Sequence, residues 1–133
     1  MSSESPTDQT RRLCAIRDHY ECVRCGDELD RIWSGHSLHH RIPRSHPWPG
    51  MHQPANLIHL CGSGTTGCHG WVHNHPLRSY ENGWLVPMEQ DPALIPVWSA
   101  RHGWILLDNN GRYTLCDRDG NPRTTTTFRK LYR

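Results

Sequence analysis

Apolar residues are sparse along this chain, and their period changes twice. Between Gln9 and His19, Leu13 and Ile16, followed by Tyr20, recur at three- and four-residue steps. That pattern predicts a short packing helix, capped by Thr7 or Asp8, after an unstructured stretch over residues 1 to 7. Leu38 to Ile42 predicts a short strand with side chains alternating inward and outward. Pro43, Pro47, Pro49 and Gly50 make the next dozen residues a loop. Gly67 and Cys68 open a helical turn that must stop or kink near His75, because Pro76 lacks an N–H and restricts the residue before it. Beyond Asn82-Gly83 the pattern shortens to β runs: Trp84-Leu85-Val86, Trp104-Ile105-Leu106-Leu107 and Arg112-Tyr113-Thr114-Leu115. Asn109-Asn110-Gly111 predicts a hairpin between the last two, since Asn-Gly supplies positive φ angles. This part reads as an appendage with its own small core of Trp84, Trp98 and Trp104.

Composition adds a shortage. The 133 residues suffice for one domain, but 35% hydrophobic content, 10 Pro, 11 Gly and a single Phe leave little aliphatic core, so a metal is expected to substitute for it. No apolar signal segment opens the sequence and no run of about 18 apolar residues follows, so the expectation is a cytoplasmic protein with reduced thiols and no membrane. Reduced thiols turn six cysteines from a disulfide question into a metal question. Cys22-Val23-Arg24-Cys25, closed by Gly26, reads as a knuckle; with Cys61 and Cys68 brought back from a distance it suits structural Zn2+ in a tetrahedral site. Six residues separate the second pair, which leaves His59 as an alternative ligand to Cys61. Cys14 and Cys116 read as small buried thiols. Asp117-Arg118-Asp119-Gly120-Asn121 opens like a calcium loop but meets Phe128 where a bidentate Glu is needed, so it reads as a turn.

Charge is near balance at +2 but unevenly spread. From Arg31 to Tyr80 no Asp or Glu occurs, while Arg31, Arg41, Arg44 and Arg78 and nine of the eleven histidines lie there. A cleft built from this segment would draw a polyanion, with Arg41, Arg44 and Arg78 as nucleic-acid contacts and Trp48 as an exposed stacking candidate. Arg123, Arg129, Lys130 and Arg133 extend the bias into the tail.

Histidine spacing then suggests chemistry. Phosphodiester hydrolysis needs a base for water and a cation for the developing charge, and without carboxylates histidine must supply both the base and the ligands. His69 and His73 are four apart, so on a helix they share one face; His39 and His40 are adjacent on a strand, so they point to opposite sides. His36, His46, His52, His59 and His75 carry no comparable spacing and read as ordinary surface histidines, with phosphate contact from the proline-rich loop as the alternative for His46 and His52.

Leu38-His39-His40-Arg41-Ile42-Pro43, Pro54-Ala55-Asn56-Leu57-Ile58-His59-Leu60-Cys61 and Gly67-Cys68-His69-Gly70 resemble the three blocks of the HNH endonuclease family, in its zinc-containing branch common in phages of actinobacteria. The resemblance covers about residues 20 to 80. It implies a small ββα-metal (His-Me finger) nuclease core; with the pattern above, the expectation is an α+β protein of one domain, the core with its structural zinc knuckle over 8–82 and a short β-rich C-terminal extension over 83–133. It also implies a DNA endonuclease or nickase that uses one catalytic divalent metal. His40 matches the general base, Asn56 the middle Asn that holds the loop, and His39, His69 and His73 the ligand positions. With His39 where relatives often carry Asp, Zn2+, Ni2+ or Mn2+ is favoured over Mg2+. The implied partner is DNA, in a host cytoplasm if the chain is phage-encoded, and a packaging nuclease acting beside a phage terminase is a variant of the same chemistry. The rival reading is a non-catalytic zinc module that binds nucleic acid or a protein. Such a module has no need of His39, His40, Asn56, His69 and His73 together.

Overall fold

The Thr7 side-chain oxygen accepts the Thr10 N–H and starts helix α1, Asp8–Arg17, with Asp8 in its first turn. In the computed structural model, residues 5–29, 35–45 and 47–123 are described. Pro6 is buried and Thr7 caps, so the unstructured start expected through residue 7 does not reach that far. The predicted apolar stripe is also not what docks the helix: Ile16 is 62% exposed and Tyr20 52%. Cys14 and Arg17 form the buried face instead. Arg17 donates to Asp18 at 2.8 Å and to the Pro54 carbonyl at 2.8 Å, while Asp18 accepts the His59 backbone N–H at 3.0 Å. Ion pairing thus does what apolar contact was expected to do.

Strand β1, His36–His40, pairs antiparallel with β2, Leu57–Cys61, placing His39 opposite Ile58 and His40 opposite Leu57. The predicted strand reached Ile42, but Arg41 and Ile42 leave the ladder because the Asn56 carbonyl takes the Arg41 N–H and Asn56 Oδ1 the Ile42 N–H. A 3-10 turn, Pro54–Asn56, feeds β2; helix α2, Gly67–Asn74, follows and ends before His75, and α3, Pro76–Glu81, begins at the proline.

Strands β3, Val97–Ser99, β4, Gly103–Leu107, and β5, Tyr113–Leu115, form an antiparallel sheet in that order. Trp84 to Val86 form no strand: Ser79 accepts the Trp84 and Leu85 N–H groups and Arg41 the Val86 N–H, so the segment threads between elements. The β4–β5 connection spans residues 108–112, and Gly111 alone among them has a positive φ, +81°. Asp108 Oδ1 organises that loop by accepting the Asn110 and Arg112 N–H groups.

The C-terminal sheet is not an appendage. Trp84, Val97, Trp98, Ile105 and Leu107 belong to the same buried cluster as Ile58, Leu60, Val72, Cys22 and Cys61. Arg41 ties the halves together: it is fully buried and donates to the carbonyls of Gly83, Ala55, Pro92 and Ile95 at 2.8 to 2.9 Å. Burial lowers its pKa to about 9, still above neutral pH. Arg41 therefore cannot contact nucleic acid, and the expectation that it does is corrected. Arg123 is committed in the same way, donating to the carbonyls of Cys116, His102 and Trp104. Arg31, His46, Phe128, Arg129, Lys130 and Arg133 lie outside the described residues. The whole is a small mixed α/β structure, and no helix among the described residues is long and apolar enough to cross a membrane.

Candidate metal centres and catalytic cleft

Four cysteines converge from three places. Gly26, at φ +84°, donates its N–H to the Cys22 carbonyl at 2.8 Å and closes the first knuckle. Val23 N–H to His59 O and Ala100 N–H to Val23 O pin that knuckle to β2 and to the C-terminal part. The wide second spacing closes through two left-handed glycines: a Cβ on Gly62 would stand 2.1 Å from the Thr66 carbonyl oxygen, and one on Gly67 2.6 Å from that of Cys61. Cys68 N–H consequently lies 3.3 Å from Cys61 Sγ. All four sulfurs lie within 4.8 Å of one another, with Cys25 and Cys61 4.0 Å apart. Zinc–sulfur bonds of about 2.3 Å would give a tetrahedron with edges of about 3.8 Å, so the set fits a structural metal. Contact with Cys25 lowers the Cys22 pKa, but contact with Cys68 and burial raise it, to about 12 overall, so thiolates at neutral pH require a cation. Arg24 adds positive charge, donating to Cys68 Sγ at 3.3 Å while its guanidinium stacks 3.7 Å above Trp71. His59, the alternative ligand, is not among the converging atoms, which include Cys61; its Nδ1 lies 3.1 Å from Asp18 instead. Cys14 and Cys116 are buried outside this set, as expected.

Three histidines form a second cluster. His39 from β1 meets His69 and His73 from α2, with ring centroids 5.0 and 5.7 Å away, and one ligand nitrogen from each lies within 4.8 Å of the others. Neighbouring groups orient two of the rings. His39 Nε2 lies 2.7 Å from the Trp84 carbonyl, which can only accept, so Nε2 carries the proton and Nδ1 is the free lone pair. Ser37 Oγ donates to the Gly62 carbonyl at 2.8 Å and can therefore only accept at 2.7 Å from His69 Nδ1, which frees His69 Nε2. Burial lowers the His39 pKa to about 3 and that of His69 to about 4, so both are neutral ligands at pH 7. The three nitrogens fit a divalent cation and leave further coordination positions open.

His40 points away from this cluster, as adjacent strand residues must, and its Nε2 lies 3.0 Å from His52 Nδ1. Both strand histidines nevertheless border one cavity of about 540 Å³, which is also lined by Arg11, Arg44, His69 and His73. Burial lowers the His40 pKa to about 4, with His52, Arg44 and Arg11 adding to the shift, so the ring is neutral near pH 7 and available as a base. Asn56 supports the site by accepting the Ile42 N–H through Oδ1 and donating from Nδ2 to the Met51 carbonyl at 2.9 Å. Arg44 borders the cavity; Arg78 is exposed on α3 and does not.

Sequence reasoning missed Arg11 and His52. Arg11 sits on a helix read only as packing, and His52 in a proline-rich loop without periodicity, so neither gave a spacing signal. Trp48 is half-buried rather than exposed. Comparison of the chain with models of known families, with curated proteins and with solved structures returns no match.

Proposed function

We propose that this chain is a metal-dependent DNA endonuclease or nickase of the HNH type, with Zn2+ in the cysteine cluster as a structural staple. One observation carries the reading: three histidines able to share a cation, two of them held neutral by burial, border the same cavity as a separate histidine and two arginines. The hairpin of β1 and β2 followed by α2 supports a ββα core, and Asn56 bonds to both sides of the loop, as the resemblance implies for the middle Asn.

His39, His69 and His73 would hold the catalytic cation, which when bound neutralises charge on phosphate oxygens. His40 takes the proton of the attacking water at the nitrogen that His52 does not engage and stays neutral beforehand because burial disfavours its charged form. Arg11 and Arg44 draw the DNA backbone into the cavity. Imidazole-only ligation favours Zn2+, Ni2+ or Mn2+ over Mg2+.

Nicking of supercoiled plasmid, measured across these metals for the parent and His40→Ala, tests the reading. The parent should nick with at least one metal, and His40→Ala should be slower by about 10²-fold or more with metal content unchanged. Absence of cleavage with every metal, despite DNA binding, would instead favour the non-catalytic module.

A further inference from the structure

Resting on the nuclease reading, we propose that His52 is the positioning residue of the base: its Nδ1 accepts the Nε2–H of His40, a ring that lines the cavity, and so leaves Nδ1 of His40 as the bare nitrogen. The two nitrogens are 3.0 Å apart, and the rings meet at 69° with centroids 5.1 Å apart. A neutral imidazole has one donor and one acceptor, so a bond between two such rings fixes both tautomers at once. The His40 nitrogen engaged by His52 is unavailable to water. The other nitrogen must therefore take the proton, which requires the hydrogen of neutral His40 to reside on Nε2 and to point at His52.

His52 Nδ1 accepts that hydrogen, and its own proton then sits on Nε2. This atom is buried and has no partner among the described residues. A buried ring nitrogen without a partner costs free energy in either tautomer, which an apolar ring of similar shape would avoid, so packing gives no reason for histidine at this position. The bond to His40 does. Its backbone setting points the same way: Asn56 donates to the carbonyl of Met51, next to His52, and accepts the N–H of Ile42, two residues after His40. One amide thereby fixes the spacing of the two segments that carry the pair.

The test compares the metal-loaded parent with His52→Phe, which keeps a ring and removes the nitrogen, and with His52→Asn, whose side-chain oxygen comes near the position of Nδ1. His52→Phe should lower the single-turnover cleavage rate by about 10- to 100-fold, with metal content and DNA affinity within about twofold of the parent. His52→Asn should recover most of that loss, which a purely structural role would not produce. Nitrogen-15 NMR of the zinc-loaded parent should show the Nε2–H tautomer of His40 and a scalar coupling across the bond to His52. Cleavage by His52→Phe at the parental rate, or absence of that coupling, overturns the inference. Coupling in a parent that cleaves no DNA would uphold the pair while removing the nuclease reading.

Discussion

The cysteine cluster brings four ligands together and completes a tetrahedron, whereas the histidine cluster brings three and opens on a cavity of about 540 Å³. Without a cation Cys22 keeps its thiol proton, its pKa raised to about 12, whereas His39 and His69, lowered to about 3 and about 4, are uncharged at neutral pH with one ring nitrogen bare. A closed anionic set is what a structural metal needs, and an open neutral set is what a catalytic one needs. The two are joined covalently, for Cys68 and His69 are consecutive on α2 and Cys61 ends the strand that pairs with the one carrying His39. The second cluster therefore inherits its geometry from the first.

Breaking the closed cluster should have the largest effect. Cys22→Ser is expected to yield insoluble or unfolded chain lacking bound zinc, since structural zinc contributes on the order of 10 kcal/mol to folding in small modules; far-UV circular dichroism and metal analysis report it. A folded, zinc-loaded Cys22→Ser protein would show that the four sulfurs are not the staple.

Acid should act on the open cluster next. The folded-state pKa values of His39 and His69 lie at about 3 and about 4, below the ordinary 6.5, so between those values the unfolded chain binds protons that the folded chain refuses. Stability consequently falls as pH drops from 6.5 toward 4. With zinc retained on sulfur and the histidines metal-free, the melting temperature should fall by about 5 °C or more over that window. A flat profile would mean that these rings are not buried and neutral as described.

Charge around the cleft should give the smallest effect. Arg11→Ala and Arg44→Ala are each expected to reduce the slope of log affinity for DNA against log salt by about one unit, and Arg78→Ala by less, because only the first two border the cavity. Equal slopes for all three variants would argue that DNA does not enter there.

Much of this arrangement is legible in sequence because it depends on local spacing. Cys22 and Cys25 follow from a two-residue gap closed by Gly26, His69 and His73 from a helical repeat, and the opposed His39 and His40 from strand alternation. What is not legible depends on polar contacts between distant segments. Arg41 reads as one more cation in a basic stretch, yet carbonyls up to 54 residues away bury it; Ile16 and Tyr20 read as a core stripe, yet the Arg17–Asp18 pair docks their helix. His52 has no periodic relation to His40 and meets it only because Asn56 folds the loop back.

Selective metal removal tests the contrast between the clusters most directly. Brief treatment with a mild chelator should take the cation from the three histidines and leave zinc on the four sulfurs, abolishing plasmid nicking while the circular dichroism spectrum stays unchanged. One equivalent of Mn2+, Ni2+ or Zn2+ added back should restore activity. Loss of fold and activity together at a single metal equivalent, or nicking that survives removal of the histidine-bound cation, would contradict the account.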